Sequence, residues 1–314
     1  MKSVSIIIVN YNLTDNVRCL LQSIVQFVNN IDYEVIVVDN NSPDRSIEKL
    51  STEFPHFRFE FLNTNNGFGH GNNVGVSLTT GKYLLLLNPD TYLTENLPLK
   101  LFDFSEQHLD FGIIGPQLNY PDGSFQISMA KFPNLKQEIA KVFGILGKTL
   151  TILHKFKSKV HKENFYKVDF VFGSCMFIRR KLFEEVLGFD ENYFLIIEET
   201  DLCYDVKKRS NYSVVYWYEA RVRHLKSQIT GKNLPLRIKQ EYESKLRFFS
   251  KHYSLPRREL IKWVIICIFA LKYLKLFRKG GKSKLFKETY KFIVKLYLHP
   301  PILCPKKSII VKTL

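Results

Sequence analysis

Apolar and polar positions switch between two periods through the first half of the chain. Residues 4–9 (VSIIIV) are a short uninterrupted apolar run, the pattern of a buried strand. Residues 14–27 carry Val17, Leu20, Leu21, Ile24 and Val25 at helical spacing. A second strand is predicted over 34–38, closed by Asp39-Asn-Asn-Ser-Pro-Asp44, a turn and helix start, and a third over 57–62. The Gly/Asn-rich stretch 65–75 leads into a short helix. After it, Tyr83-Leu-Leu-Leu-Leu-Asn-Pro-Asp90-Thr91 predicts a fourth strand over 83–87 that stops at Pro89, because proline cannot extend a central ladder. Strand–helix alternation of this kind predicts parallel strands with helices on both faces, a nucleotide-binding architecture by analogy.

The second half is less regular. Residues 130–167 are lysine-rich and weakly periodic and predict a helical excursion or lid. Strand material is predicted over 168–179 around Gly173, a helix over 199–208, a strand over 214–217 and an amphipathic helix over 236–252. After Pro256 the character changes: nine apolar residues, 263–271, lie between Lys262 and Lys272, a run too short to span a bilayer. Two units are expected, a catalytic α/β body over 1–254 and a basic amphipathic helical tail over 255–314.

Composition narrows the class. An apolar fraction of 45% suits an ordinary globular chain of 314 residues. Five scattered cysteines with no CxxC pair argue against a disulfide framework and for a reducing compartment. The opening residues have too short an apolar run for a signal peptide. Of the net charge of +16, about thirteen charges lie in the last sixty positions, where fifteen Lys and Arg face only Glu259 and Glu288. This is a near-neutral body with a basic tail, and no nucleic-acid-binding signature appears. Aromatics such as Trp263, Phe269 and Tyr273 interleave with the tail lysines, which suits an anionic membrane surface; the competing reading packs the tail helices on the core with solvated lysines.

Candidate chemistry collects at the ends of predicted elements. Asn10-Tyr11-Asn12 ends the first strand, Asp39 and the neighbouring Asn41 the second, and Asn88-Pro89-Asp90 the fourth. Glu198-Glu199-Thr200-Asp201 opens a helix. In open α/β sheets ligands bind at that edge, and a carboxylate there suits a divalent cation carrying a diphosphate. Each residue also has a plainer reading: Asp39 and Asp90 as helix caps, Glu198 and Glu199 as first-turn acids, His224 as a satisfied histidine, the glycines of 65–75 as turn formers.

SIIIVNYN, VDNNSPD, the 65–75 segment, LLNPDT, GSCMFIRR and GFDENYFLIIEETDLC stand in the order seen in family 2 glycosyltransferases of the GT-A fold. The chain resembles the branch containing bacterial rhamnosyltransferases and related cell-surface polysaccharide enzymes, over roughly residues 3–224. The resemblance implies a Rossmann-like α/β GT-A fold with a helical basic C-terminal extension. Asn10, with Tyr11 and Asn12, and Asp39, with Asn41, would lie near the nucleoside of a UDP- or dTDP-sugar; Gly67 and Asn73 match the loop under the nucleotide. Asp90 matches the metal-binding aspartate of the Asp-x-Asp motif, with Asn88 in its first position, so one charged ligand replaces two. Either a second ligand for Mn2+ or Mg2+, with His224 the candidate, or a weakly held metal is implied. Glu199 matches the catalytic base of the Glu-Asp motif, with Glu198 and Asp201 as rivals, and 173–175 matches the segment lining the acceptor side.

The expectation is an inverting sugar transferase at the cytoplasmic membrane face, acting on a glycan or polyprenyl-diphosphate-linked acceptor. Two other classes remain. A sugar nucleotidyltransferase would want a glycine-rich basic loop after the first strand, which residues 10–14 lack; a non-catalytic membrane-surface adaptor would use the same acids structurally.

Overall fold

The computed structural model describes residues 2–142, 164–225, 234–278, 284–302 and 304–308. Its first half runs β1 (Val4–Asn10), α1 (Thr14–Phe27), β2 (Tyr33–Asp39), α2 (Ser46–Glu53), β3 (Arg58–Phe61), α3 (Phe68–Ser77), β4 (Tyr83–Leu87), β5 (Thr91–Tyr92) and α4 (Leu97–Gln107). Then come β6 (Phe111–Asn119), β7 (Phe125–Gln126), β8 (Met129–Ala130), α5 (Leu135–Val142), β9 (Phe165–Lys167), β10 (Phe170–Val171) and β11 (Cys175–Arg179). The remainder is α6 (Arg180–Glu185), α7 (Glu198–Arg209), β12 (Ser213–His224), α8 (Leu234–His252), α9 (Leu255–Arg278) and α10 (Lys284–Leu298). Much of the predicted lid, residues 143–163, lies outside the described residues.

The apolar runs become central strands because both faces of the sheet are covered. Successive side chains of a strand point to opposite faces. Val4, Ile6 and Ile8 of β1, with Leu85 and Leu87 of β4, therefore join a core with Leu20, Leu21 and Ile24 of α1. Ile7, with Leu84 and Leu86, joins a second core with Val74 and Val76 of α3 and Leu202, Cys203 and Val206 of α7. α3 sits so close to the sheet that a Cβ on Gly75 would lie 2.6 Å from the Ile7 side chain.

The strand order among the described residues is β3-β2-β1-β4-β11-β6-β12-β5. The first four strands pair in parallel, as their helical crossovers require. The other half departs from that pattern. β11 runs antiparallel between β4 and β6, β12 is parallel to β6, and β5 is antiparallel to β12. The strand material predicted over 168–179 splits at Gly173-Ser174: β10 pairs with β8 in a separate ribbon, and β11 enters the main sheet from the edge where β4 ends. β12 runs well past the predicted 214–217, so its last residue, His224, faces Thr91 beyond β4.

The C-terminal helices pack against the rest of the chain on both sides of residue 254. Tyr242, Phe248 and Phe249 of α8, Ile261, Ile265 and Phe269 of α9, and Ile293 and Tyr297 of α10 share one apolar cluster with Tyr193 and Ile197 of the body. Charge ties the same parts together. Asp190, Asp201 and Asp205 are buried, and Arg247, Lys251, His252 and Lys306 meet them across the junction. Buried carboxylates need such partners, since an unpaired charge in the interior is expensive. One face of the helical pair is thus packed on the body, while the other leaves Leu260, Trp263, Leu271 and Leu274 exposed.

Candidate active site

The carboxyl ends of β1, β2 and β4 lie at one edge of the sheet, where β11 begins and β12 ends. The polar residues expected there fall into three groups.

The first group surrounds Asp39. Its buried carboxylate accepts hydrogen bonds from Asn10 Nδ2 (2.7 Å), the Ser42 amide (2.8 Å) and the Ser42 hydroxyl (2.6 Å). Ser42 Oγ also accepts from the Asn12 amide, and Asn10 Oδ1 from the Leu13 amide. Asp39 therefore ties together the turns that follow β1 and β2. Asn12 and Asn41 hold left-handed backbone at φ 57° and 59°, a region asparagine tolerates, and both side chains are exposed. Tyr11 is half-buried. The buried neighbour Asn40 was not singled out in the sequence: its Nδ2 donates to Gly67 O at 3.0 Å, and its Oδ1 has no hydrogen-bond partner.

The second group centres on Asp90. The backbone turn Asn88-Pro89-Asp90-Thr91 closes with the Thr91 amide on Asn88 O, and the Leu225 amide donates to Asp90 O. This holds the end of β12 beside the turn. His224 Nε2 lies 3.3 Å from Asp90 Oδ1, both side chains nearly enclosed, and His224 Nδ1 lies 3.0 Å from Gln126 Oε1. Gln126 thus orients the ring so that Nε2 faces the carboxylate. That approach is favourable only with a proton or a cation between the two atoms. No group of three or more His, Cys, Asp or Glu that could hold a metal ion forms among the described residues. One carboxylate and one imidazole would suit a divalent cation whose remaining positions are filled by substrate phosphates and water. Gln126, the orienting residue, comes from β7, a two-residue strand with no signal in the sequence.

The third group opens α7. Two β-branched residues, Ile196 and Ile197, precede it at φ 70° and 82°, a strained conformation that turns the chain sharply into Glu198. Burial pushes the half-buried Glu199 carboxyl up to about 7, against the amides of the helix start that favour its charged form. Burial, and then the charge of Glu199, hold the Glu198 carboxyl well above the carboxylate range, and its Oε2 has no hydrogen-bond partner. The carboxyl that can lose a proton near neutrality is therefore Glu199.

The turn Gly173-Ser174 joins the second and third groups. A Cβ on Gly173 would lie 3.6 Å from Glu199 Cβ, and Ser174 O accepts from the Asn88 amide at 3.0 Å. Consecutive Cα atoms are about 3.8 Å apart, so Glu199 and the Asn88–Asp90 turn flank one two-residue bend.

Two other expected site residues are engaged elsewhere. Asp201 lies inside the junction with α8, bonded to Tyr193 Oη (3.0 Å), Lys251 Nζ (2.6 Å) and His252 Nε2 (2.7 Å). Burial would raise its carboxyl, but His252 and Lys251 outweigh that and hold it below the usual range. It anchors the junction, its oxygens occupied by a hydroxyl, an ammonium and an imidazole. Asn73 directs its amide to Phe189 O, Glu191 Oε1 and Ser308 Oγ, and accepts from the Phe189 amide. It braces the loop before α7. Gly67 stands at φ 92°, where a Cβ would lie 2.2 Å from Phe194 O, so the 65–75 loop and the loop before α7 touch backbone to backbone.

Residues 5–187 match the family model described as Glycosyl transferase family 2. The chain is 24% identical over 250 residues to an N-acetylglucosaminyl-diphospho-decaprenol L-rhamnosyltransferase of Mycobacterium tuberculosis, covering 76% of this chain and 81% of that protein. It is 30% identical over 216 residues to the rhamnosyltransferase WbbL of Escherichia coli K12, covering 64% and 75%. Among solved structures, Staphylococcus aureus TarS 1–349 matches with a TM-score of 0.52 at 15% identity, over 94% of this chain and 91% of that one. GalNAc-T7 with UDP, GalNAc and Mn2+ matches with a TM-score of 0.61 at 12% identity, over 95% and 56%. At these identities the two structures establish the fold alone.

Proposed function

The chain belongs to glycosyl transferase family 2, and from that premise we propose an inverting, metal-dependent hexosyltransferase that moves a sugar from a UDP- or dTDP-sugar to a hydroxyl of a glycan acceptor. The likeness to the two rhamnosyltransferases favours rhamnose, and the mycobacterial relative's name favours a polyprenyl-diphosphate-linked acceptor. The product would enter cell-surface polysaccharide. The observation that carries this reading is the two-residue bend Gly173-Ser174, which Glu199 and the Asn88–Asp90 turn both approach.

The chemistry follows from those groups. The acceptor oxygen forms a bond to the anomeric carbon as the bond to the diphosphate oxygen breaks on the opposite face. The acceptor proton passes to Glu199, whose carboxyl near 7 suits a general base at neutral pH. Asp90 and His224 would hold the divalent ion, which when bound neutralises the leaving diphosphate as a Lewis acid. Asn10, Tyr11, Asn12, Asp39, Asn41, Gly67 and Asn88 would line or support the nucleotide side. The test is sugar transfer with a panel of UDP- and dTDP-sugars, Mn2+ or Mg2+, and an N-acetylglucosaminyl-diphospho-polyprenol. Absence of both transfer and donor hydrolysis across the panel would defeat the proposal.

The helical pair supports action at the cytoplasmic face of an anionic membrane. Leu260, Trp263, Cys267, Leu271 and Leu274 recur at helical spacing along the exposed face of α9, near Lys275 and the lysines of α10. No described helix is long and apolar enough to cross a membrane. Deleting the tail is a poor test, because its other face shares a core with Tyr193 and Ile197. Leu260→Glu with Trp263→Glu should instead weaken flotation with phosphatidylglycerol vesicles by about tenfold or more per residue, with melting temperature retained. Partitioning equal to that of the parent at the same salt would remove the membrane from the proposal.

A further inference from the structure

We propose that residues 304–308 form a positioning strap that locks the loop before Glu199 against the donor-side helix α3, with Lys306 and Ser308 as positioning residues for sugar transfer. The proposal rests on the reading of Glu199 as the general base.

Five residues at the far end of the chain make an unusual density of directed bonds to one loop. Lys306 Nζ donates to Val186 O (2.6 Å), Gly188 O (2.7 Å) and Asp205 Oδ2 (3.3 Å). The Glu191 amide donates to Lys307 O at 2.6 Å, the Lys307 amide to Asp190 Oδ1 at 3.3 Å, and Asn192 Nδ2 to Pro305 O at 2.9 Å. Arg247 Nη1 fixes the start of the strap through Cys304 O at 3.0 Å while Nη2 of the same guanidinium holds Asp190 at 2.7 Å. Ser308, 5% exposed, accepts from Asn73 Nδ2 of α3 at 3.1 Å.

These bonds fall on both sides of the reacting centre. Asn73 belongs to α3, whose first residue, Phe68, takes its backbone partner from Phe194 O and has its ring beside Gly173. The strapped loop runs from Gly188 to Phe194 and then through the strained Ile196-Ile197 pair into Glu198-Glu199. A loop that ends in two left-handed β-branched residues needs external fixation, because that conformation is strained and persists only when its surroundings hold it. Lys306 supplies it electrostatically. Its ammonium is largely desolvated, which lowers its pKa, and it spends its three donors on two carbonyls and a carboxylate. The strap therefore sets the distance between the carboxylate that accepts the proton and the helix on the donor side, a distance to which transfer rates are steeply sensitive.

The test uses the full chain with Lys306→Met, Lys306→Arg and the milder Ser308→Ala. Expected for Lys306→Met is a fall in kcat of about ten- to a hundredfold, with donor KM within about threefold and the midpoint of the pH–kcat profile displaced. Lys306→Arg should recover part of kcat, and Ser308→Ala should show a smaller fall of the same kind, which keeps the test open if Lys306→Met folds poorly. A lowered melting temperature with kcat and pH midpoint unchanged in Ser308→Ala and Lys306→Arg would make the strap purely structural and overturn the proposal. Failure of the underlying reading shows separately, as a pH–kcat profile of the parent with no step that Glu199→Gln removes.

Discussion

Glu199→Gln is expected to lower kcat by about 10²–10⁴-fold, the range a positioned general base contributes, while leaving donor KM within a few fold. The amide keeps the shape and burial of the side chain and removes only its capacity to take the acceptor proton. The same residue sets the pH dependence. Burial raises the carboxyl to about 7, so Glu199 is protonated and idle below that pH and charged above it. For the parent, kcat should therefore fall about tenfold per pH unit below the midpoint and reach a plateau above it. In Glu199→Gln that step should vanish. Glu198→Gln is the matched control: a carboxyl held protonated by burial and by its neighbour's charge loses little when it becomes an amide. If Glu198→Gln abolished turnover while Glu199→Gln kept both rate and pH step, the roles of the pair would be reversed.

Asp90→Ala is the second large effect. With the sole carboxylate of its motif gone, His224 is left as one neutral ligand, and metal-dependent turnover should drop by about 10²–10⁴-fold, the several kcal/mol that Lewis-acid stabilisation supplies. A readout free of turnover is available, since Mn2+ binding in the presence of UDP, followed by electron paramagnetic resonance, should fall in parallel. Gln126→Leu separates ligation from folding. It touches neither donor nor acceptor in the proposed site, yet it frees the His224 ring from its 3.0 Å partner and should weaken Mn2+ affinity by about ten- to a hundredfold. Mn2+ affinity unchanged in both variants would show that Asp90 and His224 pair for structure alone.

The contrast between Asp90 and Asp201 shows how much of the site was legible in the chain itself. The position of Asp90 could be read because its cue is local: five apolar residues closed by Asn-Pro fix a strand end, and a strand end fixes the edge of the sheet. Asp201 could not. It shares a short acidic sequence with Glu198 and Glu199, and only the approach of Lys251 and His252, some fifty residues later, makes it an anchor. Asn73 is similar, a residue of the right motif whose amide is consumed by a loop more than a hundred residues away. Gln126 and Ser42 carried no periodic or charge signal and stand out only through the atoms they hold.

The tail divides in the same way. Its basic charge and its apolar run between lysines were plain in the sequence, but not which face would be covered. Its inner face joins one cluster with Tyr193, Ile197 and the residues of α8, and Lys306 pairs with the buried Asp205 of the body. Sequence alone determined the parallel half of the sheet, the helices on its faces, the edge at which the polar residues gather and the family they announce, because apolar period and turn chemistry act over a few residues. Tertiary structure decided that β11 enters antiparallel, that His224 reaches Asp90, that Asp201 is held by Lys251 and His252, and that residues 304–308 bond to the loop before α7. Those outcomes depend on register, burial and charge partners drawn from distant parts of the chain, which no local pattern encodes.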